Sequence, residues 1–432
     1  MLRKAQYLCL VGSIGLIGAD RIDLFAGQGP FTLTPFLILA PLVVLLNLLR
    51  RGLRGEFYFE LKPSMRRQFP FLAASGGFLL LTFGSIPLGL DPERGLVAFC
   101  DLLLVTLLGY CVSLEILAEP AQERLIERSV TFGLTMYLIF CIGEIIALTH
   151  GLALAPNEKP SSWMQSTFAP SMLGNWIPTL SGTTSDANRS GFVLTMYLVL
   201  LDRFVTKSRR TLVLRFSIGI FILLTLSRSG ALCWFGFYFF SSAFWMRLLS
   251  RRALWRVAAI AIVCSLLGVV YQQEIVGLAE TWEVSDAISV KMSMSEGSSG
   301  ESHILLIQRG IETWLTSTKT VVAGIGFAAA PKVLEDFFGN DKRGNFHCLY
   351  VTALAEMGFP AFVFLMVLLV YPVIGRKGAL SCIVAIMIFN ISYQTHTEPV
   401  FWLVLSLVWS FERTRRWTLG SPVLAREYSS PI

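Results

Sequence analysis

The chain has 432 residues, 54% of them hydrophobic and only 15% charged, with a mean hydropathy of +0.62 and a formal net charge of +7. Such proportions exclude an ordinary water-soluble domain and indicate an integral membrane protein. The positive balance does not imply a nucleic-acid partner, because the basic residues flank apolar runs, where they anchor to anionic lipid headgroups.

Apolar runs near or approaching the roughly 20 residues that cross a bilayer recur along the whole length. In chain order, spans are expected at 6–18, 31–49, 69–87, 96–117, 130–149 and 190–205. They continue at 211–226, 231–246, 257–272, 347–374 (broken), 378–393 and 398–411. The expected fold is an all-α membrane protein of about 12 transmembrane helices. The first span, preceded by Arg3 and Lys4, is read as a retained helix, since "GLIGAD" lacks a clear small-x-small cleavage pattern.

Lys and Arg test this order of spans, because a wrong order would scramble them between alternate loops. They are not scrambled. About two thirds of the 36 basic residues fall on one side, from Arg3 and Lys4 through the Arg50–Arg67 cluster to Arg413 and Arg426. Both termini are therefore expected to be cytoplasmic. The other side receives two long loops, about 150–189 and 273–346, and the short turn that carries Arg228. Three parts follow: 1–185, holding the first spans and the first long loop; 186–411, holding the later spans and the 273–346 loop between the ninth and tenth; and a cytoplasmic tail, 412–432.

The eight cysteines all lie in or at the ends of apolar spans, with neither a disulfide framework nor metal-type spacing. The first half does not repeat in the second, which counts against an inverted-repeat transporter. The one strong interior break is "EMGFP", where Pro360 removes a backbone donor and Gly358 loosens the turn before it. Residues 347–357 are accordingly expected to form a short re-entrant helix that leads into a longer one.

Within the second long loop, the start is Ser, Glu and Gly rich towards its end and reads as a lid or linker. In "ILLIQRGIETWLTS" the residues Ile304, Ile307, Ile311, Trp314 and Leu315 fall on one helical face, with Arg309 projecting away. "VVAGIGFAAAP" then gives a glycine turn, and Pro331 opens another short helix. His150, His303, His347 and His396 all lie on or at the boundary of this non-cytoplasmic side, and none has zinc-site spacing.

Arg228 is the residue that needs explaining. It interrupts an apolar stretch in "FILLTLSRSGALCWFGFYFF", and an arginine at a bilayer centre costs roughly 2.5 to 3.5 kcal/mol. Either it snorkels to headgroups or it meets an anion at the outer end of its helix. Interior carboxylates pose the same problem at Asp101, Glu115, Glu144 and Glu356, and each needs a partner. For Glu356 a structural hydrogen bond or ion pair is favoured over catalysis.

The order of "LTLSRSG" at a helix end, "RGIETW" then "GIGF" in a late loop, and "FHCLYVTALAEMGFPAF" at the next helix resembles the O-antigen ligase and polymerase superfamily. The resemblance covers residues 185–411, including "DANRSG" and "HTEPVFW"; the first 180 residues match in topology alone. Members are bacterial inner-membrane glycosyltransferases of GT-C type. The resemblance implies a site facing the periplasm and inverting transfer of a glycan from undecaprenyl pyrophosphate to an acceptor hydroxyl, with no metal and no cofactor.

By that resemblance, Arg228 and Arg309 neutralise the departing diphosphate, a task for which the bidentate guanidinium fork suits better than a lysine. His347 takes the acceptor proton, as an imidazole titrating near neutrality can. Arg189 and Asn188 line the donor path, though both also read as ordinary turn residues, and Glu398 lies on the side where it can orient a cationic or hydroxyl group. This chain carries Cys348 where the family commonly has Asn. The acceptor is either another lipid-linked glycan, making a polymerase of O-antigen or exopolysaccharide, or lipid A core, making a ligase. The 273–346 loop holds ten acidic against six basic residues, a poor surface for a phosphorylated core, which favours the polymerase. Membrane lipids, a flippase and a chain-length regulator are the accompanying partners. A transporter of lipid-linked glycan and a non-catalytic scaffold are the other readings.

Overall fold

A computed structural model of the chain describes residues 1–22, 33–53, 63–149, 168–170, 176–178, 180–225, 227–241, 299–335, 344–375 and 379–410. It is helical almost throughout. The first five helices are α1 (Leu2–Gly15), α2 (Pro35–Gly52), α3 (Pro63–Ser85), α4 (Pro92–Ala118) and α5 (Gln122–Thr149). A short antiparallel pair, β1 (Phe168–Pro170) and β2 (Trp176–Pro178), precedes α6 (Ala187–Phe204), α7 (Arg209–Leu224) and α8 (Arg228–Ser241). There follow α9 (Ser299–Leu315), α10 (Thr318–Ala323), α11 (Ala330–Val333), α12 (Leu349–Thr352), α13 (Phe359–Gly375), α14 (Leu380–Phe389) and α15 (Pro399–Ser410).

Local chemistry starts these helices where it should. Asp91 accepts from the Arg94 backbone N–H at 3.2 Å, Pro92 sits in the first turn and Glu93 follows, so α4 opens with a cap and a favourable charge. Ser208 and Thr211 form a reciprocal capping box at α7. Gly358, at φ +83°, ends the broken helix, and the four residues of α12 run into a π turn at Ala353–Met357 before the break. The break and the short helix leading into the longer α13 are those expected from "EMGFP".

Four helical segments, Pro35–Gly52, Phe69–Leu88, Pro92–Ala118 and Gln122–Ile146, are long and apolar enough to cross a membrane. The distribution of burial agrees with a lipid solvent. α6 and α15 are enclosed nearly all round, and Phe192 of α6 stacks on Phe389 at 4.6 Å. Trp402 and Trp409 of α15 are fully buried. Outward, α2, α3 and α7 present Leu45, Leu48, Leu80, Phe83, Leu212, Val213 and Phe216. An apolar exterior around an apolar core is unfavourable in water and natural in a bilayer.

The bundle has two chemically distinct ends. At one, Arg3 faces Glu119 at 3.9 Å, Arg128 donates to the Tyr7 hydroxyl at 3.4 Å, and Thr206 donates to Glu123 at 3.1 Å. Arg203 donates to Ser381 at 2.5 Å there as well, so the start of α1, the α4–α5 and α6–α7 turns and the start of α14 all meet at this basic end. The opposite end gathers the start of α6, α8 and α15, the end of α14, and the α9–α12 segment. The expected span 257–272, the loop start before 299 and the tail 412–432 lie outside the described residues.

One expectation about the late loop is corrected. α9 does pack on the bundle, but its buried stripe is Leu306, Gly310 and Thr313 flanked by Ile307, Ile311 and Trp314, whereas Ile304 and Leu315 are exposed. The reason is Gly310. A Cβ there would collide with Val351 and Phe346, so the contact centres on the glycine, with Ile307, Ile311 and Trp314 packed beside it and Ile304 and Leu315 left outside.

Candidate functional site

The site is assembled at the end opposite the basic one. At the mouth of α6, Asp186 caps the helix by accepting the Arg189 backbone N–H at 2.9 Å, and its other oxygen accepts from the Tyr393 hydroxyl at 2.7 Å. The cap leaves the Arg189 side chain free to turn across the bundle. There it pairs with both Asp20, from the turn after α1, and Glu398, from the turn before α15. Asp20 in addition accepts from the backbone N–H of Ser185 at 2.9 Å and its hydroxyl at 2.6 Å.

Asn188 and the start of α8, where Arg228 sits, are brought together by a glycine crossing. A Cβ at Gly191 would lie 2.8 Å from the Gly230 Cα, and the reverse holds as well, so α6 and α8 touch through backbone alone. Ser227 bridges the crossing. Its hydroxyl donates to Asn188 Oδ1 at 2.7 Å and accepts from the Gly230 N–H at 2.9 Å, which starts α8. Arg228 is the first residue of that helix, exposed, and has no ion pair or hydrogen bond among the described residues.

His347 and Arg309 reach the same end by a different route. The Leu349 N–H is shared between the Asn390 and Tyr393 carbonyls, both at 3.0 Å, and Thr352 donates to Gln394 at 2.9 Å. Ser229, next to Arg228, shares a 2.6 Å hydroxyl contact with Ser392. Residues 347–352 are thus tied to the 390–394 turn, and that turn to the start of α8. His347 is half-buried at φ +51°, its N–H donating to Asn345 Oδ1 at 2.8 Å. This left-handed conformation, tolerated by histidine better than by branched residues, re-aims the ring as the chain enters α12. Arg309 precedes Gly310, the residue packed on Phe346 and Val351, and it reaches Glu312 at 3.3 Å.

All six residues expected from the sequence therefore lie at one end, yet in two electrical conditions. Arg189 is doubly matched by carboxylates. Among the described residues Arg228 has none, and Arg309 has one loose surface partner three residues on. An incoming anion finds two guanidiniums available and one already neutralised. Glu398, which the sequence assigns to orienting a ligand, is committed to Arg189.

A second layer supports this end. Glu356 accepts from the Ala328 and Ala330 N–H groups at 3.0 and 2.9 Å, and the Ile325 and Gly326 N–H groups bond the Ala355 and Glu356 carbonyls at 2.8 and 2.9 Å. The glycine turn is thereby fixed over the π turn, and Leu90 and Ser85 hold its far side. Glu356 plays the hydrogen-bonding role expected of it. Glu144 accepts from Arg21, Ser181 and Gly182, and Glu115 from Gln6 and Asn47.

Sequence reasoning missed Asp20, Arg21, Asp186 and Tyr393, and placed His396 on this side without giving it a role. Asp186 had a signal, an Asp three residues before a backbone donor at a helix start. His396 is buried against Phe327, ring centroids 5.8 Å apart, with neither ring nitrogen bonded among the described residues, and burial pushes its imidazole down to about 4. No known family model matches the chain, and no curated protein is significantly similar to it.

Proposed function

We propose that the protein is a glycosyltransferase of the O-antigen ligase and polymerase type, extending a lipid-linked glycan at the periplasmic face of a bacterial inner membrane. In this reading the chain has about 12 spans with both termini and the basic end in the cytoplasm, following the positive-inside rule. The 273–346 loop and the site end then face the periplasm. The observation that carries the reading is the placement of Arg228, Arg309 and His347 at the end away from the basic clusters, with Arg228 unpartnered among the described residues.

The acceptor hydroxyl oxygen attacks the anomeric carbon and gives its proton to the His347 imidazole. The bond from that carbon to the pyrophosphate oxygen breaks, and the charge left on the diphosphate is met by Arg228 and Arg309. Arg189 acts as a positioning residue, and Asn188 fixes the start of α8 beside Arg228. The ten-to-six excess of acidic residues in the loop favours a second lipid-linked glycan over a phosphorylated core as acceptor.

The test is transfer by purified protein from an undecaprenyl-pyrophosphate oligosaccharide, in EDTA, with and without lipid A core. Glycan ladders without core that vanish in Arg228→Ala and His347→Ala are the expected result. Product formed only with core makes it a ligase. Donor binding without transfer to either acceptor ends the enzyme reading.

A further inference from the structure

The basic end holds an open groove of about 740 Å³ between α5 and α7, within the range of sites that take small ligands. Arg124 and Arg128 of α5 line one wall, and Arg209 and Arg210 of α7 the other, against a single carboxylate, Glu127. Among the described residues, Arg124, Arg209 and Arg210 have no ion pair. Arg128 leans on the Tyr7 ring with its guanidinium carbon 5.8 Å from the centroid. Four guanidiniums thus share one opening with little to neutralise them, an arrangement that a bound anion would relieve.

The walls change character with depth. Phe132 follows Arg124 and Arg128 at four-residue intervals along one stripe of α5, and Val213 follows Arg209 likewise on α7. Each step carries the lining about 6 Å further along the helix. Phe132 is 38% and Val213 63% exposed, so the groove passes from cationic at its end to apolar towards the bundle middle. An anionic head with a hydrocarbon body matches that order.

We propose that this groove binds an anionic phospholipid, its phosphodiester held by Arg124, Arg128, Arg209 and Arg210 and its acyl chains lying along Phe132 and Val213. The proposal rests on the membrane setting and not on the transferase reading. General headgroup attraction would spread over every arginine at this end, whereas a bound lipid depends on these four.

The test titrates purified full-length protein in neutral detergent with dioleoyl phosphatidylglycerol, dioleoyl phosphatidylcholine or glycerol 3-phosphate, reading occupancy by native mass spectrometry. Phosphatidylglycerol is expected to saturate at one lipid and to bind about tenfold tighter than either other probe, each arginine near the headgroup contributing about a factor of five. Arg209→Gln/Arg210→Gln should weaken it about tenfold or more, while Lys4→Gln/Arg51→Gln, at the same end outside the groove, should not change it. Both pairs change surface charge without removing buried contacts, and circular dichroism checks the fold. Equal loss from both pairs, or equal binding of phosphatidylcholine, would overturn the proposal in favour of diffuse attraction. Glycerol 3-phosphate binding as tightly as the lipid would overturn it in favour of a free phosphate site. His347→Ala should leave the titration untouched, which separates this result from the fate of the transferase reading.

Discussion

Arg189 and Glu398 stand 209 residues apart in the chain and form an ion pair that joins the first turn of α6 to the turn before α15. Asp20 completes the joint from the far side of α1. Glu398 is nearly enclosed and Arg189 mostly so, and removing one member of such a pair strands the other in a medium that solvates it poorly.

Glu398→Gln should therefore destabilise the protein by about 2 kcal/mol or more, and Arg189→Met by a similar amount. The double variant should lose less than the two singles together. Thermal unfolding of all four proteins in one detergent measures the coupling. Strict additivity would mean that the pair is not a joint.

Arg228 gives the opposite expectation. Exposed and without a partner among the described residues, it contributes little to folding, so Arg228→Ala should keep the wild-type unfolding temperature. Under the proposed transferase reading, transfer by that variant should fall by about 10² or more, the usual consequence of removing one charge that stabilises a departing anion. Arg228→Lys should recover part of the rate, since the charge returns without the bidentate fork. A variant that unfolds early and transfers normally refutes both halves.

Gly358 is expected to be intolerant. At φ +83° an L side chain is strained, and its Cβ would collide with the Val322 carbonyl. Gly358→Ala should cost more than the roughly 1 kcal/mol typical of a left-handed site, because the clash is with backbone. Limited proteolysis of the 318–358 segment provides the readout. Unaltered cleavage would show that the turn accommodates a methyl group.

His396 predicts a pH window. Its ring is neutral in the folded protein, pushed by burial from 6.5 down to about 4. Below pH 6.5 the unfolded chain takes up a proton that the folded chain refuses, so stability falls as the pH drops from about 6.5 to about 4 and then levels. His396→Leu removes that group, and its unfolding temperature should depend less on pH in this window. Parallel curves for the two proteins would rule out His396 as the source.

What the sequence made legible followed from local rules. Gly358 and Pro360 announced the broken helix because glycine accepts the positive φ that ends a helix and proline lacks the N–H that would continue one. Alternating clusters of arginine announced the two ends because they depend on side and not on partner. Asp20 and Arg21 were opaque for the converse reason: their partners Arg189 and Glu144 lie 169 and 123 residues away, and no periodicity encodes such a distance. The α9 face was read correctly at Ile307, Ile311 and Trp314 and wrongly at Ile304 and Leu315, because hydrophobicity ignores a glycine while the close approach of Val351 and Phe346 centres the contact on Gly310. Arg228 stood out as a charge in an apolar stretch, but that Arg228, Arg309 and His347 share one end was not readable from spacing, since it depends on how three separated segments pack.

The Leu349 N–H, divided between the Asn390 and Tyr393 carbonyls, has a consequence in time as well as in space. A ribosome delivers Leu349 some forty residues before those acceptors, so a newly made α12 waits with its first donor unmatched until α14 has followed it. The same wait applies to Arg189, whose second carboxylate arrives 209 residues later. The site is thus among the last things the growing chain can finish. A nascent chain halted after α13 should insert most of its helices and still leave residues 347–352 open to protease, becoming protected only once the 390–398 turn is made.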